Sequence, residues 1–153
     1  MTVIDLKKEK YFVDQYIRLR NRHADRLLTR PVLRAETEAW LNRDDIAVQG
    51  LAENELLLGV VILYVGKGGE VSFFTETPGR GVGTRLLRLV EEEAGKRALP
   101  SVWAWVLLDN PVARHVFEKC GFVREGAEDR LFQGEWKKGI KYRKVIQNHQ
   151  KGS

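Results

Sequence analysis

The sequence predicts a single mixed α/β domain of the α+β type, in which about four helices flank a central, mostly antiparallel sheet of six to seven strands. Its 153 residues are the usual length of one domain. The hydrophobic residues change from helical to strand spacing near Ile46. A strand, a helix and a strand follow one another over residues 70–108, which is typical of a crossover between parallel strands. We therefore expect one domain over residues 1–153, with its core at about 5–146 and a frayed tail at 147–153.

The first half of the chain predicts two helices and then a three-strand antiparallel meander. Residues 11–28 place apolar side chains at helical intervals opposite a row of arginines, and residues 33–41 repeat the pattern over a shorter length. The strands are predicted at 46–52, 56–65 and 70–76, and polar or glycine-rich turns separate them.

The second half predicts a long helix, a strand, a second helix and further strands. Residues 82–95 carry one apolar face. The continuous apolar run at 101–108 is typical of a strand buried on both faces, so we expect its two tryptophans in the core. A second helix is expected to begin after Asn110, which is a good cap, and to end near Gly121. The last strands are predicted at about 122–132 and 140–146.

Composition and charge exclude several classes of protein. The longest apolar stretch, residues 56–66, is shorter than the roughly 18 residues of a membrane-spanning helix, and the charged N-terminus is unlike a secretory signal. We therefore expect a cytoplasmic protein without a membrane partner. The single cysteine, Cys120, cannot form an internal disulfide, and no Cys/His group has the spacing of a metal site. The net charge is +5, but the basic residues at 137–144 alternate with apolar ones as on the solvent face of a strand, which disfavours a nucleic-acid partner.

A glycine-rich turn between a predicted strand and a predicted helix is the clearest chemical motif. Gly79, Gly81 and Gly83 allow the backbone to approach a ligand closely, and the new helix presents unpaired N–H groups at its positive end. Such a turn binds phosphate. The glycine spacing is not that of a dinucleotide-binding fold, and no Lys-Ser/Thr pair follows Gly83. A nicotinamide enzyme and an ATPase are therefore disfavoured.

This turn resembles the pyrophosphate-binding signature R/Q-x-x-G-x-G/A of the GNAT acetyltransferase superfamily. The segment from Asn110 to Phe122 resembles the later N-x-x-A-x-x-x-Y-x-K-x-G-F motif of that family, and the two lie in the family's order. The resemblance implies a GNAT-like fold and an acyl-CoA-dependent N-acetyltransferase that moves an acetyl group from acetyl-CoA to a primary amine by direct attack. Two positions depart from the pattern. Pro78 replaces the usual Arg or Gln, and Phe117 replaces the tyrosine that commonly protonates the leaving thiolate.

The resemblance also implies a set of cofactor-binding residues. The pantetheine arm would lie against the edge of the strand before the turn, the pyrophosphate on the amides of the turn, and Asn110 beside the cofactor arm. A backbone N–H near Phe73 or Phe74 would stabilise the oxyanion. The implied residues are Phe73, Phe74, Thr75, Gly79, Arg80, Gly81, Val82, Gly83, Thr84, Arg85, Asn110 and Phe117.

Catalysis on an ammonium group also needs a proton acceptor, and the absent tyrosine leaves the proton donor open. A carboxylate, or a water held by one, must take the proton. Glu70 is the first candidate and Glu76 the second, because both are predicted on the strand beside the thioester. His115 is a weaker candidate, since it is predicted on the exposed side of its helix. Tyr64 and Tyr142 are candidates to replace the missing acid.

The acceptor is the least constrained part of the prediction. Residues 21–45 carry equal numbers of acidic and basic side chains, and residues 19–41 loosely resemble a branch of the family that acetylates amino sugars. We therefore expect a small, neutral or weakly charged primary amine, an amino sugar among the options, and a protein that is a monomer or homodimer. Two alternatives stay open: a non-catalytic acyl-CoA-binding or sensing module, favoured by the loss of the tyrosine, and a peptide or protein N-acetyltransferase.

Overall fold

Nine strands are present in the computed structural model, which describes residues 1–146. They are β1 (Thr2–Asp5), β2 (Ile46–Glu53), β3 (Leu56–Tyr64), β4 (Glu70–Thr75), β5 (Ser101–Leu107), β6 (Val123–Ala127), β7 (Arg130–Phe132), β8 (Glu135–Lys137) and β9 (Gly139–Val145). Seven of them form a central sheet in the order β1-β2-β3-β4-β5-β9-β6. Its neighbouring strands are antiparallel except for β4 and β5. The remaining strands, β7 and β8, form a separate hairpin.

Five helices flank the sheet within the described residues. They are α1 (Val13–Arg22), α2 (Ala24–Leu27), α3 (Arg34–Leu41), α4 (Val82–Lys96) and α5 (Pro111–Lys119). None of them has the length and apolar character needed to cross a membrane. The predicted fold class, a mixed and mostly antiparallel sheet between helices, is confirmed.

Strand β3 separates two apolar cores because its side chains alternate between the faces of the sheet. Val61 and Leu63 pack with α4 and α5, whereas Val60 and Ile62 pack with α1 and α3. Gly59 allows α4 to lie close to the sheet, since a Cβ there would be 2.8 Å from Val82 Cγ1. The start of α4 is therefore held firmly against β3.

Strands β4 and β5 pair at a single register position, Glu70 with Trp103. Beyond it, β4 stays paired with β3 as far as Thr75, and β5 stays paired with β9 as far as Leu107. A gap therefore opens between β4 and β5 in the middle of the sheet, and backbone groups that face it have no strand partner there.

The prediction that β5 is buried on both faces is wrong. Val102, Ala104 and Val106 are buried, but Trp103 and Trp105 are only partly covered. The reason is that one face of β5 meets the α4 core, while the other is covered by the chain around β7. There the Trp105 indole donates to the Glu128 carbonyl at 2.7 Å.

Two predicted elements are divided and two strands were not predicted. The helix predicted at 11–28 breaks at His23 into α1 and α2, and the strand predicted at 122–132 divides into β6 and β7, which lie in different sheets. Strands β1 and β8 were not predicted, because four and three residues are too few to show a period. The tail predicted at 147–153 lies outside the described residues.

Candidate active site

A groove of about 600 Å³ lies at the start of α4, on the side of the sheet that packs against α4 and α5. Phe73 and Thr75 of β4 form one wall, and Val112 and Val116 of α5 form the opposite wall. The turn at 77–84 closes one end of the groove. The groove thus combines apolar walls with a glycine-rich backbone.

The first turn of α4 leaves its N–H groups free to bind an anion. The residue before the helix is Gly81, whose φ of 76° favours glycine and which has no side chain to cap the helix. The first intrahelical bond runs from Arg85 N–H to the Gly81 carbonyl at 3.2 Å. The N–H groups of Val82, Gly83 and Thr84 therefore have no acceptor within the helix, and they lie at its positive end.

Gly83 is required here for space. A Cβ at this position would lie 3.0 Å from Phe73 Cε2 and 3.3 Å from Val116 Cγ1, the two walls of the groove. Gly79 has open space around it, so its lack of a side chain is not needed for space. Its φ of 81° is a backbone conformation that other residues adopt only at a cost in free energy.

The structure brings most of the predicted cofactor-binding residues to this groove. Arg80 and Arg85 are exposed beside it, and neither forms an ion pair within residues 1–146. The predicted residues that line it are Phe73, Thr75, Gly79, Gly81, Val82, Gly83 and Thr84.

Three predicted cofactor residues lie elsewhere. The Phe74 side chain is on the opposite face of the sheet and packs on Tyr16. The Asn110 side chain caps α5 by accepting from Ala113 N–H at 3.3 Å. Phe117 is buried below the groove, where its ring packs against that of Phe73.

His115 and Lys119 also line the groove, which the sequence analysis did not predict. His115 is exposed, as predicted, but it lies beside the groove. Residues 112, 115, 116 and 119 have the spacing of one helical face, so the sequence could have indicated that they lie side by side.

Phe73 directs its backbone N–H into the gap between β4 and β5. Glu76 N–H donates to the Leu58 carbonyl of β3 at 2.8 Å. Alternate residues of an antiparallel strand direct their backbone groups to opposite sides, so Phe73 and Thr75 direct theirs away from β3. The Thr75 carbonyl indeed contacts His23 Nε2, at 2.9 Å, across this side.

A smaller cavity of about 290 Å³ lies on the other face of β4, and we call it the acceptor-side cavity. Glu70 and Ser72 of β4 line it, together with Arg20 of α1, Tyr64 of β3 and Arg130 of β7. Because side chains alternate along a strand, these β4 residues face away from the groove that Phe73 lines. The groove and this cavity therefore lie on opposite faces of the same strand.

The two candidate bases differ in their surroundings. The Glu70 side chain is only 14% exposed, with Oε2 3.6 Å from Arg130 Nη1 and Oε1 3.9 Å from Lys67 Nζ. Glu76 lies past the end of β4, is 33% exposed and pairs with Arg22 at 3.2 Å. Glu70 alone of the two lines the acceptor-side cavity.

The two candidate tyrosines lie in different parts of the protein. Burial raises the pKa of Tyr64, against the opposing effect of the Arg20 guanidinium, so its hydroxyl is protonated at neutral pH. It stands opposite Glu70 in the β3–β4 register, in the acceptor-side cavity. Tyr142 is buried in the core and donates to Glu118 Oε2 at 2.6 Å, and both burial and this carboxylate raise its pKa.

His23 is a polar residue of the site that the sequence analysis missed. Because a carbonyl oxygen only accepts, its 2.9 Å contact with Thr75 requires the hydrogen on Nε2. Burial is the main reason that the pKa of His23 is lowered, and Arg26 and Arg22 lower it further, while the Thr75 carbonyl opposes the shift. We predicted one continuous helix over residues 11–28. The helix instead breaks at His23, whose ring contacts β4.

The model of the acetyltransferase (GNAT) family matches residues 12–122, which include β4, the glycine-rich turn, α4 and α5. This chain belongs to the GNAT acetyltransferase family. The prediction of that family, and of an acetyltransferase as the class of enzyme, is confirmed.

Solved structures show that the whole GNAT fold is present. A ribosomal-protein-alanine N-acetyltransferase from Brucella melitensis has a TM-score of 0.83 at 18% identity, covering 95% of this chain and 100% of its own. Spermidine N-acetyltransferase from Vibrio cholerae, in complex with CoA and spermine, has a TM-score of 0.81 at 20% identity, covering 96% of both chains. The protein yncA from Salmonella typhimurium, with its cofactor acetyl-CoA, has a TM-score of 0.81 at 18% identity, covering 97% of this chain and 95% of its own. A comparison with curated protein sequences finds no match.

The basic C-terminal segment of this GNAT chain is largely paired within the domain. Lys137 contacts Glu135 at 2.9 Å, Arg143 contacts Glu125 at 2.7 Å, and Lys144 contacts Glu91 at 2.9 Å. These ion pairs support the view that the basic side chains of this segment stabilise the domain. In residues 1–146, no group of three or more His, Cys, Asp or Glu side chains is arranged to hold a metal ion.

Proposed function

We propose that this GNAT acetyltransferase transfers an acetyl group from acetyl-CoA to the primary amine of a small molecule by direct attack. One observation carries the proposal. The groove at the start of α4 and the acceptor-side cavity lie on opposite faces of β4, beside a gap in the sheet. This arrangement supports two substrates that approach each other from opposite sides of one strand.

The residues of the groove fit acetyl-CoA, which supplies an activated acetyl thioester. The free N–H groups of Val82, Gly83 and Thr84 suit the pyrophosphate, and the exposed Arg80 and Arg85 add positive charge beside them. The apolar walls suit the pantetheine arm. The space that Gly83 keeps open is the observation that supports this fit most directly.

The residues around the gap supply charge stabilisation and proton transfer. The Phe73 N–H is placed to stabilise negative charge as it develops on the acetyl oxygen. Glu70 accepts the proton of the ammonium group, directly or through a water, since it lines the cavity from which the amine approaches. Solvent protonates the thiolate that leaves, because Phe117 has no proton to give.

The single cysteine favours direct attack over a covalent acetyl-enzyme. Burial raises the pKa of the Cys120 thiol, with the Thr84 side chain opposing the shift. A thiol with a raised pKa is a poor nucleophile at neutral pH. In direct attack, holding the amine and the thioester close together supplies much of the rate acceleration.

A second candidate function is a non-catalytic acyl-CoA sensor. It is favoured by one observation: Phe117 stands at the position of the family's tyrosine, while the nearby Tyr142 hydroxyl is bonded to Glu118. A peptide or protein acceptor is a further alternative, supported by the likeness of fold to the Brucella melitensis enzyme.

An amine panel separates these functions. Release of thiol from acetyl-CoA is measured with amino sugars, aminoglycosides, polyamines, amino acids and short peptides, each against a reaction without amine. We expect release that depends on a small amine and equals the N-acetylated product in amount. Acetyl-CoA binding by calorimetry without turnover of any amine would support the sensor. Turnover confined to peptides would support the peptide acceptor.

A further inference from the structure

Arg20 is a cation of the acceptor side that has no counter-charge within the described part of the chain. Its Nη1 donates to the Tyr16 hydroxyl at 2.7 Å, and its guanidinium carbon lies 5.4 Å from the centroid of the Trp40 ring. Its Nε is buried and has no hydrogen-bond partner within residues 1–146. None of the ion pairs in that part of the chain involves it. A largely buried guanidinium without an anion is costly unless a ligand supplies one.

The groups that contact Arg20 are neutral. Burial raises the pKa of Tyr16 to about 12, although Arg20 opposes the shift, so the hydroxyl stays protonated in the physiological range. The Trp40 ring offers only the attraction of its face for a cation. Tyr64 also lies beside Arg20, and because burial raises its pKa it is protonated too. None of these three side chains therefore neutralises the guanidinium, whose five N–H donors leave it able to bind an anion.

Arg20 stands at the boundary between two cavities. It lines the acceptor-side cavity, and it also lines a cavity of about 420 Å³ between α1 and α3. Thr29 lines both as well. A small molecule whose amine lies near Glu70 therefore has space to extend past Arg20.

The acceptor-side cavity is positively charged. Arg20, Lys67 and Arg130 line it with a single carboxylate, that of Glu70. Lys67 and Arg130 both lie close to Glu70, at 3.9 and 3.6 Å, and Arg130 also pairs with Glu128 at 3.3 Å, so Arg20 is the one of these three cations without an anion in residues 1–146. Residues 21–45, from which a neutral wall was predicted, contribute no charged side chain to this cavity, and its three cations come from outside that segment. Such a cavity disfavours a polycation.

We propose that Arg20 binds a carboxylate of the acceptor, which makes the substrate an amino acid or another small primary amine that carries a carboxylate. The inference rests on the proposed function and names its substrate class. A planar guanidinium matches a carboxylate in geometry and charge, and such charge-assisted hydrogen bonds are the strong ones. The amine of the same molecule then lies on the side of Glu70 and Ser72.

Matched acceptors test this without any variant. Each amino acid is compared with its carboxamide and with the amine that lacks the carboxyl group, by kcat/KM for thiol release from acetyl-CoA. For the best amino acid we expect a preference of about 10-fold to 100-fold over both analogues, as for the loss of a charge-assisted hydrogen bond.

A variant then assigns the preference to Arg20. In Arg20→Gln the ratio between amino acid and carboxamide should fall towards one, whereas Arg20→Lys should keep part of it because the charge remains. Arg18→Gln, which removes an exposed arginine of the same helix, is the control and should keep the wild-type ratio. Acetyl-CoA affinity by calorimetry shows that each variant is folded.

Each outcome bears on a different claim. Carboxamides, polyamines or peptides that react as well as the free amino acids would overturn the carboxylate site and leave the proposed transferase standing. An Arg20→Gln variant that is folded and keeps the wild-type ratio would also overturn it. No turnover of any amine would overturn the proposed function and this inference together.

Discussion

Glu70, rather than Glu76, is the residue that we propose as the proton acceptor. Glu70 lies in a cavity on the acceptor face of β4 and is held between Lys67 and Arg130, while Glu76 is more exposed and paired with Arg22. A carboxylate that contacts the amine or its water must share its cavity. The two residues therefore provide a matched pair for mutation.

Glu70→Gln should lower kcat at neutral pH by about 100-fold or more, because the amide cannot accept the proton, while acetyl-CoA affinity stays close to that of wild type. Steady-state kinetics with the best amine of the panel and calorimetry with acetyl-CoA measure the two quantities. Glu76→Gln is the comparison and should have a much smaller effect on kcat. A pH–rate profile of Glu70→Gln identical to wild type would remove Glu70 from the mechanism.

His23 should make stability depend on pH. Its pKa in the folded protein lies below the ordinary value, chiefly through burial, so the unfolded chain takes up the proton more readily as the pH falls through about 6.5. The free energy of unfolding should therefore decrease between pH 7.5 and pH 5.5, and His23→Gln should lack that component. Urea unfolding at both pH values measures it, with His115→Gln as a control for the loss of an exposed histidine. Equal pH dependence in wild type and His23→Gln would contradict this explanation.

Some residues of the site could be predicted from the sequence because their signals are local. Three glycines next to an apolar helical period indicate an anion-binding turn, and this signal does not depend on residues far along the chain. Arg20 and His23 lack such a signal. Their roles depend on a cavity and a carbonyl that residues far along the chain supply, namely Glu70, Arg130 and Thr75.

At the scale of elements, the proposed binding of acetyl-CoA depends on the start of α4. The helix is held against β3 at Gly59, and its free N–H groups lie beside a groove that Gly83 keeps open. Substitution at Gly83 therefore affects the groove directly, without removing any charge or side-chain donor.

Gly83→Val should weaken acetyl-CoA binding by a few kcal/mol, of the order of several lost charge-assisted hydrogen bonds, because its side chain would displace the Phe73 and Val116 walls. Titration calorimetry measures the affinity. Gly95→Ala in the same helix is the control, since its Cβ would meet only Ile146, at 3.9 Å, and alanine favours a helix. Unchanged affinity in Gly83→Val would contradict the placement of the cofactor.

The elements that differ from prediction do so for non-local reasons. The apolar run of β5 is compatible with burial on both faces, but the face that carries Trp103 and Trp105 is covered only by the chain around β7 within residues 1–146, so both side chains are partly exposed. The periodicity through 11–28 continues across His23, so it gave no sign that α1 and α2 are separate. Both outcomes are decided by tertiary contacts.

At the scale of the whole molecule, β4 separates the groove from the acceptor-side cavity. Odd-numbered Phe73 faces the groove, even-numbered Glu70 and Ser72 face the acceptor-side cavity, and the gap beside β4 leaves room between them. In the reaction that we propose, an amine and a thioester held in this way react without the acetyl group being transferred to the protein. Both substrates must then be bound at the same time.

Initial velocities measured while the concentrations of acetyl-CoA and the amine are both varied test this claim most directly. Direct attack within a ternary complex predicts double-reciprocal lines that intersect, together with no acetylated protein by mass spectrometry when the amine is left out. Parallel lines, and an acetyl group on the protein in the absence of amine, would show a covalent intermediate and would contradict direct transfer across β4.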